Sequence, residues 1–158
     1  MSTREQRFMQ AAIDVAREGM LQGKGGPFGC VIVLGEEIVG KGCNSVVGDN
    51  DPTAHAEVVA IRDACKNLRS FQLTGCEVYT SCEPCPMCLG AIYWARPKRV
   101  FFAANRHDAQ QAGFDDSFIY EELKLPYEAR QILMNEFGRN DAVKLFEEYA
   151  QLPGKVEY

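Results

Sequence analysis

Two short stretches of this chain carry side chains able to bind a metal ion and move a proton: His55-Ala56-Glu57 and Pro84-Cys85-Pro86-Met87-Cys88. His55, Cys85 and Cys88 offer one imidazole and two thiolates. Three protein ligands leave a fourth position open to water, which distinguishes a catalytic zinc site from a closed structural one. Glu57, two residues from His55, is the kind of group that takes a proton from attacking water. The chemistry implied is metal-assisted hydrolysis with one Zn²⁺ per chain.

Spacing then dictates where these residues sit. Residues two apart on a helix point about 200° from each other, so His55 and Glu57 converge on one point only if a helix end faces it. Cys85 and Cys88, three apart, lie about 60° from each other on one face. Both sets belong at helix N-termini, with His55 in the first turn. Free N–H groups and the helix dipole favour thiolates there. Other readings exist for each part. Cys82-x-x-Cys85 and Cys85-x-x-Cys88 both have redox spacing, and Cys82 or Cys30 could close a structural zinc site as a fourth ligand. His55 alone reads as a helix histidine and Glu57 alone as a solvated charge. The joint spacing favours catalytic zinc.

The elements that must hold these residues are legible in order. A helix is expected from about Thr3 to Gln22, with capping-box spacing at Ser2-x-x-Glu5 and an apolar stripe of Phe8, Ala12, Val15, Ala16 and Met20. Gly23, Gly25, Gly26 and Pro27 stop it. They lack the Gly-Lys-Ser/Thr ending of a phosphate-binding loop. Strands at 28–34 and 38–43 form a hairpin around Gly35-Glu36-Glu37. Asp51-Pro52 reads as an N-cap and first helical position, so a helix is expected to start just before His55 and run to about Leu68. A strand at 76–81, a helix at 84–95 and a strand at 99–104 follow. This alternation predicts an α/β fold, a three-layer α/β/α sandwich with a mixed central sheet, its third and fourth strands parallel. Beyond Ala104 helices are expected at 107–112, 117–123 and 139–149, with a strand near Ile132–Glu136. No linker interrupts the pattern, so residues 1–158 are expected to form a single domain.

Composition narrows the partners. The chain has 158 residues and a net charge of −5, which disfavours a phosphate backbone as ligand. Residues 107–158 hold eleven acidic and five basic side chains, and Arg96-Pro97-Lys98-Arg99 is too short to offset them. No run is apolar enough to span a membrane, and residues 1–7 carry no apolar region of the signal-peptide kind. Seven cysteines in such a chain point to a reducing, cytoplasmic setting.

At the motif level the chain resembles the cytidine-deaminase-like zinc deaminase family, and within it the small bacterial guanine deaminases. The resemblance runs through Gly25-Gly26-Pro27-Phe28-Gly29, Asn50-Asp51-Pro52-Thr53-Ala54-His55-Ala56-Glu57, Cys82-Glu83-Pro84-Cys85-Pro86-Met87-Cys88 up to Lys98, and Ala112-Gly113-Phe114-Asp115-Asp116 to Tyr120. The His-x-Glu and Pro-Cys-x-x-Cys motifs mark the whole superfamily, and Gly113-Phe114-Asp115-Asp116 points to guanine. The resemblance implies hydrolytic deamination of a free nucleobase, guanine to xanthine plus ammonia, and a homodimer. It also implies substrate contacts at Asn44, whose amide has a donor and an acceptor for a purine edge, and at Asp116, with Asp115 as the neighbouring alternative. Phe28 is a candidate stacking wall for the base. Tyr158, an aromatic at the chain end, is a candidate cover for a pocket. The competing activities are tRNA adenosine deamination and cytosine deamination; a zinc-stabilised scaffold without activity is the competing class.

Overall fold

The structure, a computed structural model, describes residues 3–158. Ser2, and with it the expected capping box, lies outside these residues. The chain divides into two compact units, Met1–Asp116 and Ser117–Tyr158.

The first unit is built on a four-stranded sheet of order β2-β1-β3-β4. Strand β1 (Gly29–Leu34) turns through Gly35 into antiparallel β2 (Glu37–Cys43), with an irregularity at Ile32/Val33. Gly35 takes φ +63°, a backbone angle that costs glycine little. On its other side β1 pairs antiparallel with β3 (Glu77–Cys82), and β3 pairs parallel with β4 (Arg99–Ala104). The mixed sheet and the parallel β3–β4 pair agree with the sequence.

Alternation along the strands makes the layers. Val31, Val33 and Tyr79 face α1 (Thr3–Leu21) and join Phe8, Met9 and Ala12 in one core. Cys30, Ile32 and Val78 face the opposite side, where they meet Ala56, Ala60 and Ala64 of α3 (Ala56–Leu68) and Ala95 of α4 (Pro86–Ala95). Met20, expected in the α1 stripe, is exposed, and Met9 and Gly19 are buried instead. Gly42 lets α3 settle directly on β2: a Cβ there would lie 2.3 Å from the Ala56 carbonyl oxygen.

Two local expectations are corrected. Asp51 does not cap α3. Its Oδ1 accepts hydrogen bonds from the Thr53 N–H at 2.8 Å and the Thr53 hydroxyl at 2.7 Å, so the segment closes into a turn and the helix begins at Ala56. The four-residue helix α2 (Val46–Asp49) occupies what reads as loop. Beyond β4, α5 (Arg106–Gln111) starts with an Asn105–Asp108 capping box and completes the unit.

The second unit holds α6 (Ser117–Lys124), a 3₁₀ turn at Tyr127–Ala129 and α7 (Arg139–Gln151). No strand forms at 132–136. An extended apolar run becomes a strand only when another strand offers its N–H and C=O groups, and these residues have no such pairing.

Candidate active site

The residues singled out by type converge at the starts of α3 and α4. His55 is the N-cap of α3, with φ −71° and ψ 154°, and Cys85 is the N-cap of α4, with φ −66° and ψ 169°. Both therefore have extended backbone. Pro86 fixes the first helical position of α4, where its missing N–H costs nothing. Cys88 follows one turn later and is buried.

The His55 Nδ1 lies 3.5 Å from Cys85 Sγ and 3.5 Å from Cys88 Sγ. All three ligand atoms fall within 4.8 Å of one another. Tetrahedral zinc, with bonds of about 2.0–2.3 Å, needs its ligand atoms roughly 3.5–3.8 Å apart. The donor set and its spacing fit Zn²⁺. Cys30 and Cys82 lie outside this cluster, and the Cys82 thiol instead points at the Asn105 carbonyl oxygen, 3.7 Å away.

Electrostatics already favour thiolate. The Cys85 thiol is held down to about 4, chiefly by its hydrogen bond with Cys88 and against the cost of burial, with His55 and the Cys88 N–H assisting. Cys88 is pushed the opposite way by the same hydrogen bond, by burial and by the Glu57 charge. His55 is raised, first by its hydrogen bond with Cys85. The cluster thus holds a thiolate beside a protonatable imidazole, ready to exchange protons for a cation.

Glu57 is buried beside the cluster at 6% exposure. Its Oε2 accepts from Cys88 Sγ at 3.3 Å, and its Oε1 accepts from the Thr80 hydroxyl at 3.1 Å. Burial raises its pKa. A carboxylate so desolvated takes a proton more readily than one in water.

The candidate substrate residues are more widely spread. Asn44, at the exit of β2, is buried, and its Oδ1 accepts from the N–H groups of Gly26 at 3.2 Å and Val46 at 3.4 Å. Two backbone donors on one atom identify it as the oxygen. The acceptor of the amide is thus engaged by the backbone, and Nδ2 is its donor. Phe28 is half-buried and meets Phe114 edge-on, with ring centroids 4.9 Å apart. Gly26 lies against this ring pair, since a Cβ there would come within 2.9 Å of Phe114 and 3.0 Å of Phe28. Asp116 is half-buried, and its charge acts on His55; its own pKa is raised by burial and then by Cys85. Asp115 is exposed and accepts from the Gln110 side chain at 3.2 Å. Asp116 is thus coupled electrostatically to His55 and Cys85. Tyr158 lies in the second unit and is 70% exposed.

Sequence reading missed the Thr80–Glu57 bond and the edge-on contact of Phe114 with Phe28. Thr80 had a signal: it lies two residues from Val78, on the strand face turned to α3. A lone hydroxyl on a buried face asks for a buried partner.

Comparison with known proteins agrees with this geometry. The cytidine and deoxycytidylate deaminase zinc-binding region matches residues 2–104. The guanine deaminase of Bacillus subtilis is 54% identical over 151 residues, 96% of this chain and 97% of that protein. A crystal structure of guanine deaminase from Bacillus subtilis superposes with a TM-score of 0.94 at 52% identity, covering 100% of this chain and 99% of that one. A tRNA-specific adenosine deaminase of Buchnera aphidicola is 32% identical, over 94% of this chain and 95% of that protein. With its His-Cys-Cys cluster and neighbouring buried carboxylate, the chain belongs to the cytidine and deoxycytidylate deaminase zinc-binding family.

Proposed function

We propose that this chain is a zinc-dependent guanine deaminase that hydrolyses guanine to xanthine and ammonia. The observation that carries the reading is the 54% identity, across nearly the full length of both chains, with a guanine deaminase. The tRNA-specific adenosine deaminase, matched over a similar span, is 32% identical, and the acidic balance of residues 107–158 argues against an RNA substrate.

His55, Cys85 and Cys88 would hold the zinc. When bound, the ion supplies the Lewis acidity that makes water nucleophilic near neutral pH. Glu57 takes the proton from the attacking water at Oε2, then returns protons to the ring nitrogen and the departing amine. Asp116 accepts hydrogen bonds from the reacting amine and the adjacent ring N–H of guanine, which presents donors on that edge. Asn44 donates through Nδ2 to a ring acceptor, and Phe28, braced by Phe114, stacks on the base. Tyr158 serves as a pocket cover, and full activity after deletion of residues 155–158 would exclude that role.

The relative spans both units, which supports a single deaminase made from the whole chain. The chain works as a homodimer in a reducing cytoplasm. Support for the dimer is the outer face of α4, where Leu89, Tyr93 and Trp94 are exposed beside an apolar groove of about 390 Å³ that includes Ile92, Pro97 and Val100. A helix apolar on all sides calls for cover, and light scattering reads the mass. Ammonia release from guanine, measured beside adenine, cytosine and cytidine, tests the substrate. Rapid turnover of guanine alone is expected; turnover of cytosine alone would replace the substrate while keeping the zinc chemistry.

A further inference from the structure

We propose that Thr80 is a positioning residue for Glu57: its hydroxyl anchors Oε1 so that Oε2 faces the metal ligands and carries the proton. The proposal rests on Glu57 being the proton carrier of the function proposed above.

Thr80 stands on the interior strand β3, paired with Cys30 of β1 on one side and Phe102 of β4 on the other. Its backbone is held from both directions, and its side chain is 1% exposed. Neighbours on the same strand face, Cys30, Ile32 and Val78, belong to the apolar core beneath α3. Valine would fill that volume without a polar atom. A buried hydroxyl costs free energy unless it is hydrogen-bonded, and here the partner is Glu57 Oε1 at 3.1 Å.

The two oxygens of Glu57 are thus divided. Oε1 turns to the sheet and Thr80, and Oε2 turns to Cys88 Sγ at 3.3 Å. The Thr80 hydroxyl acts alongside the backbone N–H of Glu57 itself, which also bonds the carboxylate. Thr80 therefore holds one oxygen against the sheet while the other stays turned to the ligand cluster.

Two variants separate the hydroxyl from the shape of the residue: Thr80→Val keeps the volume, and Thr80→Ser keeps the hydroxyl. With guanine as substrate, Thr80→Val is expected to lower kcat about 10- to 100-fold, the range seen when partners of working side chains are removed. KM and zinc content should stay within about twofold, and Thr80→Ser should recover most of kcat. Retained kcat in Thr80→Val, or an equal loss in Thr80→Ser, overturns the proposal. A second readout needs neither metal nor substrate. In metal-free protein, Thr80→Val should lower the urea midpoint when Glu57 is present and leave it unchanged or raise it in the Glu57→Ala background, where the hydroxyl has lost its partner. Additive shifts would show that the two side chains do not interact. This cycle reports on the Thr80–Glu57 link even if guanine proves not to be the substrate.

Discussion

The backbone N–H of Gly26 donates to the side-chain oxygen of Asn44 at 3.2 Å, and this bond decides which way the amide faces. In the proposed substrate contact, Asn44 therefore offers the ring a donor. Asn44→Asp keeps an oxygen for Gly26 but places a second oxygen where Nδ2 was. We expect kcat/KM for guanine to fall about 10- to 100-fold, the worth of one buried hydrogen bond turned into a mismatch. Gly25→Ala should act similarly, because its Cβ would fall within 2.0 Å of Asn44 Oδ1. Steady-state kinetics with zinc content as a control reads both.

Glu57→Gln preserves shape while removing the proton carrier. Turnover should fall by at least about 10²-fold, the usual contribution of general acid–base catalysis. Zinc should remain, since the glutamate is not among the three ligands. Metal analysis and ammonia release on one sample check both halves, and unchanged turnover would favour a scaffold.

Chelation should loosen the first unit as well as silence it. The proposed zinc ligands sit where α3 and α4 begin, so an ion held there would tie two helices together and stabilise the folded chain by mass action. A strong chelator is expected to lower the melting temperature by about 5 °C or more. Cys85→Ser should show the lower value without chelator.

Acid should weaken a different part of the molecule. Glu77 is pushed up by burial, but its hydrogen bond from Arg4 at 2.7 Å prevails, with Tyr79 and Arg99 adding to it, and the net pKa is low. A carboxylate whose pKa is depressed on folding contributes stability above its ordinary value of 4.5 and loses it as pH falls through the folded value. Melting temperature should therefore drop on acidification below about pH 4.5, and less steeply in Glu77→Gln. An identical pH profile for the two proteins would contradict this account.

How far the sequence could be read depends on what each residue's signal specifies. His55, Glu57, Cys85 and Cys88 were legible because a metal demands particular atoms at particular spacings, and few other structures do. Asp51-Pro52 misled because an aspartate that caps a helix and one that closes a turn look alike locally; only the Thr53 hydroxyl, 2.7 Å from Asp51 Oδ1, settles the matter. The run at 132–136 has the composition of a strand, but pairing is not a local property. Thr80 and Phe114 escaped for a related reason. Each acquires its role from a residue far away in sequence, Glu57 and Phe28 respectively.

The hydrolytic centre and the groups proposed to choose the ring are carried on separate pieces of chain. His55, Glu57, Cys85 and Cys88 sit at the starts of α3 and α4, whereas Asn44 follows the end of β2 and Asp116 lies beyond α5. The region shared with the zinc-binding family stops at residue 104, before Asp116. On such a scaffold the segments proposed to choose the ring can be exchanged without touching the residues at the starts of α3 and α4.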